Sequence, residues 1–337
     1  MTNRESVRCS PYLSAKRTDI TVQCVIECVI DQLNKNYARC AQRGVSTIFR
    51  TNMITVSIRA YAKINLYLEV LGRGANGFHQ LETIFQSVGL YDEVTVVCGG
   101  VSGLSLQCNQ PDIPTDSRNL AWRAAAAFIG DRRMEGVAIT LHKGIPHGAG
   151  LGGGSSDAAA VLRVLAKLRP DWHDKSSLQQ IAATLGSDVP YFLYGGAALG
   201  ENRGDIITPL PDLVAQPVTI CMPAVHLATP SVFQALTDIE RGPRQAFGSA
   251  GWQGRLANGA WQNTWLFNRL TAPATRLCFD VTQLLSWCES TGCPYLMSGS
   301  GAACFVLGHV DPPASVRAWK TSFISRAEYL IDEVKAS

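Results

Sequence analysis

The chain has 337 residues, 46% of them apolar and 17% charged, which suits a soluble globular protein of two domains or one large one. Its formal charge of +3 is uneven: residues 1–52 carry eight Lys/Arg against four Asp/Glu and the remainder is near neutral, so nothing in the body argues for nucleic-acid binding. Eleven cysteines without a C-x-x-C pair and six histidines without H-E-x-x-H exclude a recognisable zinc motif and fit free thiols in a reducing, cytoplasmic setting; no apolar run reaches the roughly 18 residues of a membrane span.

In residues 1–52, Val22, Val25, Ile26, Val29, Ile30 and Leu33 fall at helical spacing, while Glu5, Asp19, Glu27 and Asp31 argue against a transit peptide. The segment reads as an extension that is mostly disordered and dispensable. From Ile54 the pattern turns to strands over 54–61, 64–71, 83–88 and 93–98, with a turn cluster at 72–77. A helix is predicted over 117–129, capped by Ser117 or Asp116, then a strand over 137–141. Helices follow at 156–168 and 177–185, and a hairpin across 192–210. Pro209, Pro211 and Pro217 mark a domain boundary, dividing 53–212 from 213–330. Beyond it strands are expected at 218–222, 294–297 and 303–307, and helices at 231–237, 261–270, 274–290 and from about Pro313.

The densest signal is Ile145-Pro-His-Gly-Ala-Gly-Leu-Gly-Gly-Gly-Ser-Ser-Asp157, which leads into an Ala/Leu-rich helix. Glycines let backbone amides approach a ligand, and the helix start adds free N–H donors and a positive dipole end. Together they make a phosphate cradle. Gly148, Gly150 and Gly153 satisfy the dinucleotide fingerprint formally, but Lys143-Gly-Ile-Pro146 separates strand from loop and no second strand follows the helix. A P-loop fails because Gly154 stands at its lysine position. Protein-kinase signatures are absent as well.

The loop resembles the second motif of the GHMP small-molecule kinases. Ala62-Lys-Ile-Asn-Leu66 with Gly77-Phe-His79, Gly186-Ser-Asp-Val-Pro190 and Ser298-Gly-Ser-Gly301 match further blocks in family order, over about Ile54 to Ala327. The resemblance implies an α+β fold of two domains with the active site in the cleft between them. It also implies ATP and Mg²⁺ as cofactors and a small-molecule acceptor, with neither nucleic acid nor membrane as partner, in a monomer or homodimer. Ala62–Leu66 and Phe78-His79 point to the branch whose acceptor is a cytidine diphosphate derivative of a sugar alcohol, phosphorylated on its 2-hydroxyl in non-mevalonate isoprenoid synthesis. Alternatives are a family kinase for another small alcohol and a nucleotide-binding sensor that has lost catalysis.

Residue by residue, the resemblance assigns ATP binding to Pro146, His147, Gly148, Ala149, Gly150, Leu151, Gly152, Gly153, Gly154, Ser155 and Ser156. Ser155 or Ser156 would meet Mg²⁺ or a phosphate oxygen, although a serine here is equally a helix cap. Lys143 and Asn119 match positions near ATP. Asp157 suits a helix N-terminus but repels bare phosphate, which leaves it outside the catalytic set. Asp188 is expected to accept or orient the acceptor's hydroxyl proton, and Lys63 to lower that carboxylate's pKa. Asn65 shares the strand face of Lys63 and faces the acceptor. Phe78 and Phe233 would sandwich cytosine, His79 would read its polar edge, and Thr229 lies beside them. The family's usual aromatic at position 78 is tyrosine; phenylalanine keeps the stacking face and loses a hydroxyl.

Overall fold

Two long strands organise the first sheet. The computed structural model describes residues 53–74, 79–100, 102–132, 136–237, 240, 247–331 and 333–336. In it β1 (Ile54–Arg73) and β2 (His79–Cys98) each run 20 residues and pair antiparallel. The four short strands expected here are therefore two. The gaps between them coincide with a register shift at Tyr61/Ala62, opposite Val88 and Tyr91, and further shifts follow at Asn65/Tyr67 and Val70/Gly72. Such bulges bend and twist a strand without ending it. The bend gives β2 two neighbours: β4 (Val137–His142) along residues 93–98 and β5 (Ala197–Asn202) along 81–86. β3 (Leu104–Cys108), absent from the predicted strands, lies parallel beside β4, and β6 (Ile206–Pro209) forms a hairpin with β5. On its other edge β1 pairs in parallel with β8 (Phe267–Asn268) and antiparallel with β12 (Glu333–Ala336).

Helices α1 (Leu120–Ile129) and α2 (Gly153–Leu168) pack on this sheet, and α3 (Lys175–Leu185) packs on those two helices. Ala124, Phe128, Val161 and Leu165 share one buried cluster with Val94, Val96, Ile139 and Leu141. Each large apolar side chain so buried contributes about 1.5–3 kcal/mol. Capping sets the helix starts. Asn119 Oδ1 accepts from Ala121 N at 2.9 Å, so α1 begins later than Ser117 or Asp116 would place it; Asp116 instead bonds Arg118.

A second sheet runs β11-β7-β10-β9, from β7 (Pro217–Met222), β9 (Tyr295–Met297), β10 (Cys304–Val306) and β11 (Arg317–Ser322). Its apolar side chains meet α4 (Thr229–Gln234), α6 (Thr271–Leu277) and α7 (Phe279–Ser290) in a cluster holding Val232, Ala274, Leu284, Cys221 and Cys304. Three expectations fail in this half. The helix expected from Pro313 is β11, paired with β7 along six residues, and only α8 (Arg326–Ile331) is helical. The tract 261–270 is a 3-10 turn (Asn263–Trp265) followed by β8. Its aromatics Trp261, Trp265 and Phe267 pack with Tyr67 and with Trp252 of α5 (Gly248–Arg255), a helix not foreseen. The buried Glu82 carboxylate accepts from Phe247 N, Gly248 N and Trp252 Nε1, each at 2.9 Å, and so anchors that helix from β2. Finally, 274–290 is two helices, broken where Cys278 turns extended.

Residues 52–337 cluster as one compact unit. The boundary expected at 212 falls between β6 and β7, and β8 and the buried pair Arg269–Glu69 (2.7 and 2.8 Å) bridge the two sides. The readings made on residues 1–52 lie outside the described residues. Among the described residues no helix is long and apolar enough to cross a membrane.

Candidate active site

β4 delivers the chain to residues 143–152, and α2 begins at Gly153 with no side chain capping its first turn. Gly152 is the left-handed N-cap, φ 74°, where a Cβ would meet the Phe192 ring at 2.7 Å. Gly150 has φ 75°, and a Cβ there would sit 2.3 Å from the Ser298 carbonyl oxygen. The uncapped amides and the helix dipole leave an anion nest over the turn. Ala149 and Leu151 send their side chains into the core, while their carbonyls accept from Ala303 N (3.2 Å) and Lys63 N (3.0 Å). What this loop can offer a ligand is main chain. Pro146 is half-buried, and His147 lies exposed, stacked on His226 with centroids 6.3 Å apart.

Lys63 ties that nest to a carboxylate. Its backbone holds Leu151, and its buried Nζ donates to Asn65 Oδ1 at 2.7 Å and lies 3.4 Å from Asp188 Oδ2. The ammonium also sits 5.5 Å from the Phe85 ring centroid. Asn65 Nδ2 passes the chain to Thr83 Oγ1 (2.7 Å), which donates to the Tyr67 carbonyl at 2.7 Å. The lysine head is thus aimed from behind by bonded groups of β1 and β2. Asp188 lies in the turn after α3, with its side chain 30% exposed.

The second glycine turn closes over the first. Ser298 Oγ donates to the Gly150 carbonyl at 3.2 Å, and a Cβ on Gly299 would lie 3.3 Å from Lys63 Nζ. Asn268 of β8 holds this turn: its Nδ2 donates to the Met297 and Gly299 carbonyls, both at 2.8 Å, while its Oδ1 accepts from Leu270 N. Thr229 Oγ1 and Ser300 Oγ share a hydrogen bond of 2.7 Å, so Thr229 supports the turn from α4. Phe233 stacks directly on His79, centroids 5.1 Å apart and planes at 26°. Rings in such contact leave no space for a base between them. Phe78 lies outside the described residues.

Residues 119–196 match the family model for the GHMP kinases N terminal domain and residues 236–324 that for the GHMP kinases C terminal domain. A 4-diphosphocytidyl-2-C-methyl-D-erythritol kinase of Desulfotalea psychrophila is 38% identical over 253 residues, covering 74% of this chain and 84% of that protein. The chain belongs to the GHMP kinase family. A second relative, the 4-diphosphocytidyl-2-C-methyl-D-erythritol kinase of Deinococcus radiodurans, is 39% identical over 271 residues, 77% of this chain and 86% of its own length. Among solved structures, a 4-(cytidine 5'-diphospho)-2C-methyl-D-erythritol kinase superposes with a TM-score of 0.66 at 36% identity, covering 79% of this chain and 98% of that one. A homoserine kinase from Cytophaga hutchinsonii, at 18% identity and TM-score 0.56, shares the fold.

Three side chains expected at the ATP site of this GHMP kinase are engaged within the protein itself. Ser156 is fully buried and its Oγ donates to the Tyr61 carbonyl at 2.7 Å, which pins α2 to β1 and leaves half-buried Ser155 as the serine open to a phosphate or metal. Asn119 spends its side chain on the cap of α1 and on the Pro114 carbonyl. Lys143 is buried against two acids, Asp92 and Asp157, rather than reaching for a nucleotide. Burial works against its ammonium, but Asp157 and Asp92 outweigh that and raise its pKa above the ordinary lysine value. Asp92, Thr83, Asn268 and His226 were missed. Asp92 is the one with a signal, an acid between two apolar strand runs.

Proposed function

We propose that this kinase transfers the γ-phosphoryl group of ATP to the 2-hydroxyl of 4-diphosphocytidyl-2-C-methyl-D-erythritol. The observation that carries the reading is the single side chain of Lys63, whose backbone grips the glycine loop while its ammonium lies 3.4 Å from Asp188. A phosphate tail in the nest and an alcohol at Asp188 would then meet head on, as phosphoryl transfer requires. Asp188 accepts or orients the hydroxyl proton, and Lys63 stabilises the charge that develops there. Its partial exposure leaves Asp188 free to take that hydroxyl as a partner.

The amides of Gly153 and Gly154, with Ser155, hold the phosphates. Among the described residues no group of three His, Cys, Asp or Glu could hold a metal ion alone. That fits Mg²⁺ entering on the nucleotide's own phosphates, with Ser155 Oγ as the loop's side-chain ligand. Bound there, Mg²⁺ neutralises phosphate charge. Asn65 aims Lys63 at the acceptor from behind, and cytosine takes the face of Phe233 that His79 covers, with His79 turning to its polar edge. Stacking of this kind is worth about 1–3 kcal/mol, enough to separate a cytidyl substrate from a bare alcohol. The described cysteines, free thiols all, suit a reducing cytoplasm.

ADP release by the purified protein, measured with the cytidyl substrate, mevalonate and homoserine in parallel, tests the reading. Turnover with the cytidyl substrate alone is expected. Equal turnover of mevalonate or homoserine would overturn the substrate and spare the kinase.

A further inference from the structure

Lys143 ties β2 and the first turn of α2 to the start of the glycine loop. Its Nζ bonds Asp92 Oδ2 on β2 and, at 2.5 Å, Asp157 Oδ2 on α2. The other oxygen of Asp92 accepts from Gly144 N (2.7 Å) and Ile145 N (2.8 Å), the first residues of the glycine loop. A Cβ on Gly153 would lie 3.4 Å from Asp92 Oδ2, so the helix start rests on the same carboxylate. The entry and the exit of the loop are therefore fastened to one another beneath the anion nest. All three side chains are buried, at 6% exposure for Lys143 and 0% and 3% for the acids. Asp157 keeps one oxygen, Oδ1, buried without a hydrogen-bond partner. A loop needing only to be covered would not require two sequestered carboxylates about one ammonium, since well-packed apolar groups do that at lower cost. What charge adds is fixed direction and separation.

We propose that Lys143, Asp92 and Asp157 form a buried charge staple that holds the ends of the glycine loop at the spacing a nucleotide polyphosphate requires, which makes them positioning residues for nucleotide binding. The inference rests on the reading of that loop as the ATP site. It replaces direct contact between Lys143 and nucleotide with action through the backbone of residues 144, 145 and 153.

The test uses the full chain and Mg²⁺ with a non-hydrolysable ATP analogue, titrated calorimetrically against wild type, Asp157→Asn and the double variant Lys143→Met/Asp157→Asn. The double variant leaves only Asp92, which keeps its two backbone donors; Asp157→Asn alone keeps the Lys143–Asp92 pair should the double variant fail to fold. Steady-state KM for ATP and for the cytidyl acceptor are measured beside it. Analogue affinity is expected to fall roughly tenfold or more in the double variant and less in Asp157→Asn, as misplaced positioning groups cost such factors, with the acceptor KM unchanged. Analogue affinity equal to wild type, or an equal loss for both substrates, would overturn the staple and leave Lys143 a stabilising residue only. A wild type that binds no analogue would instead overturn the nucleotide reading on which the staple rests.

Discussion

Two lysines stand beside the same glycine loop, each facing carboxylate, and they are opposites. Lys63 is paired at 3.4 Å with Asp188, whose side chain keeps 30% of its exposure; Lys143 is closed between Asp92 and Asp157, at 0% and 3%. An ion pair with one member open to solvent can exchange its partner for an incoming hydroxyl. One with every member buried can only hold its neighbours in place, because separating its charges leaves an uncompensated group in the interior. Access, more than residue type, sets the two pairs apart.

The open pair should give the largest effect. Asp188→Asn is expected to lower kcat about 10²–10⁴-fold with little change in thermal midpoint, and an undiminished kcat in a steady-state assay would falsify the contrast at its reactive end. Next comes the closed cluster: Lys143→Met should cost about 3–5 kcal/mol of unfolding free energy in urea denaturation, since it strands two buried acids. A loss under about 1 kcal/mol would rank it with exposed pairs. The neighbouring serines repeat the contrast on a smaller scale. Ser156→Ala should remove about 1 kcal/mol of stability with KM for ATP unchanged, and Ser155→Ala should do the reverse; swapped results would reverse the assignment of open and closed.

The last expected effect is a pH dependence. Burial raises the Asp157 carboxyl from 3.8 to about 7, against Lys143 and with the help of Asp92. An acid whose folded pKa lies above its unfolded value binds its proton more tightly when folded. Its contribution to stability is therefore present at low pH and lost as pH rises through the folded value. Asn at 157 cannot titrate, while His147 and His226 remain common to both proteins. The fall in thermal midpoint between about pH 4 and pH 7 should then be several degrees smaller in Asp157→Asn than in wild type. Equal falls would assign the titration elsewhere.

The groups that the structure brings together, the glycine loop, Lys63 with Asn65, and Asp188, were candidates in the sequence because each is local: a run of residues whose types suffice for an anion nest, a polar pair inside an apolar strand, an Asp fixed before Val-Pro. The pairing of Lys143 with Asp92 was not foreseen because the two lie 51 positions apart, a separation no local pattern spans. Asn268 was missed for the same reason, its amide serving carbonyls 29 and 31 residues on. Strand boundaries in β1 and β2 were misjudged because a bulge interrupts alternation without interrupting pairing. The tract 261–270 looked helical by its apolar content, yet stacking among Trp252, Trp261 and Trp265 decides its shape, and tertiary contact overrides propensity.

The parallel docking of Phe267–Asn268 on β1, with Arg269 clasping Glu69, bears on how this kinase is made. A ribosome that has released every strand up to β6 has exposed a sheet with one edge unpaired and an acid awaiting its guanidinium. Such an intermediate is a natural client for chaperones. Pairing along that edge is deferred until Arg269 and, later, β12 have been translated and have cleared the exit tunnel, so the amino-terminal half waits on residues of the other.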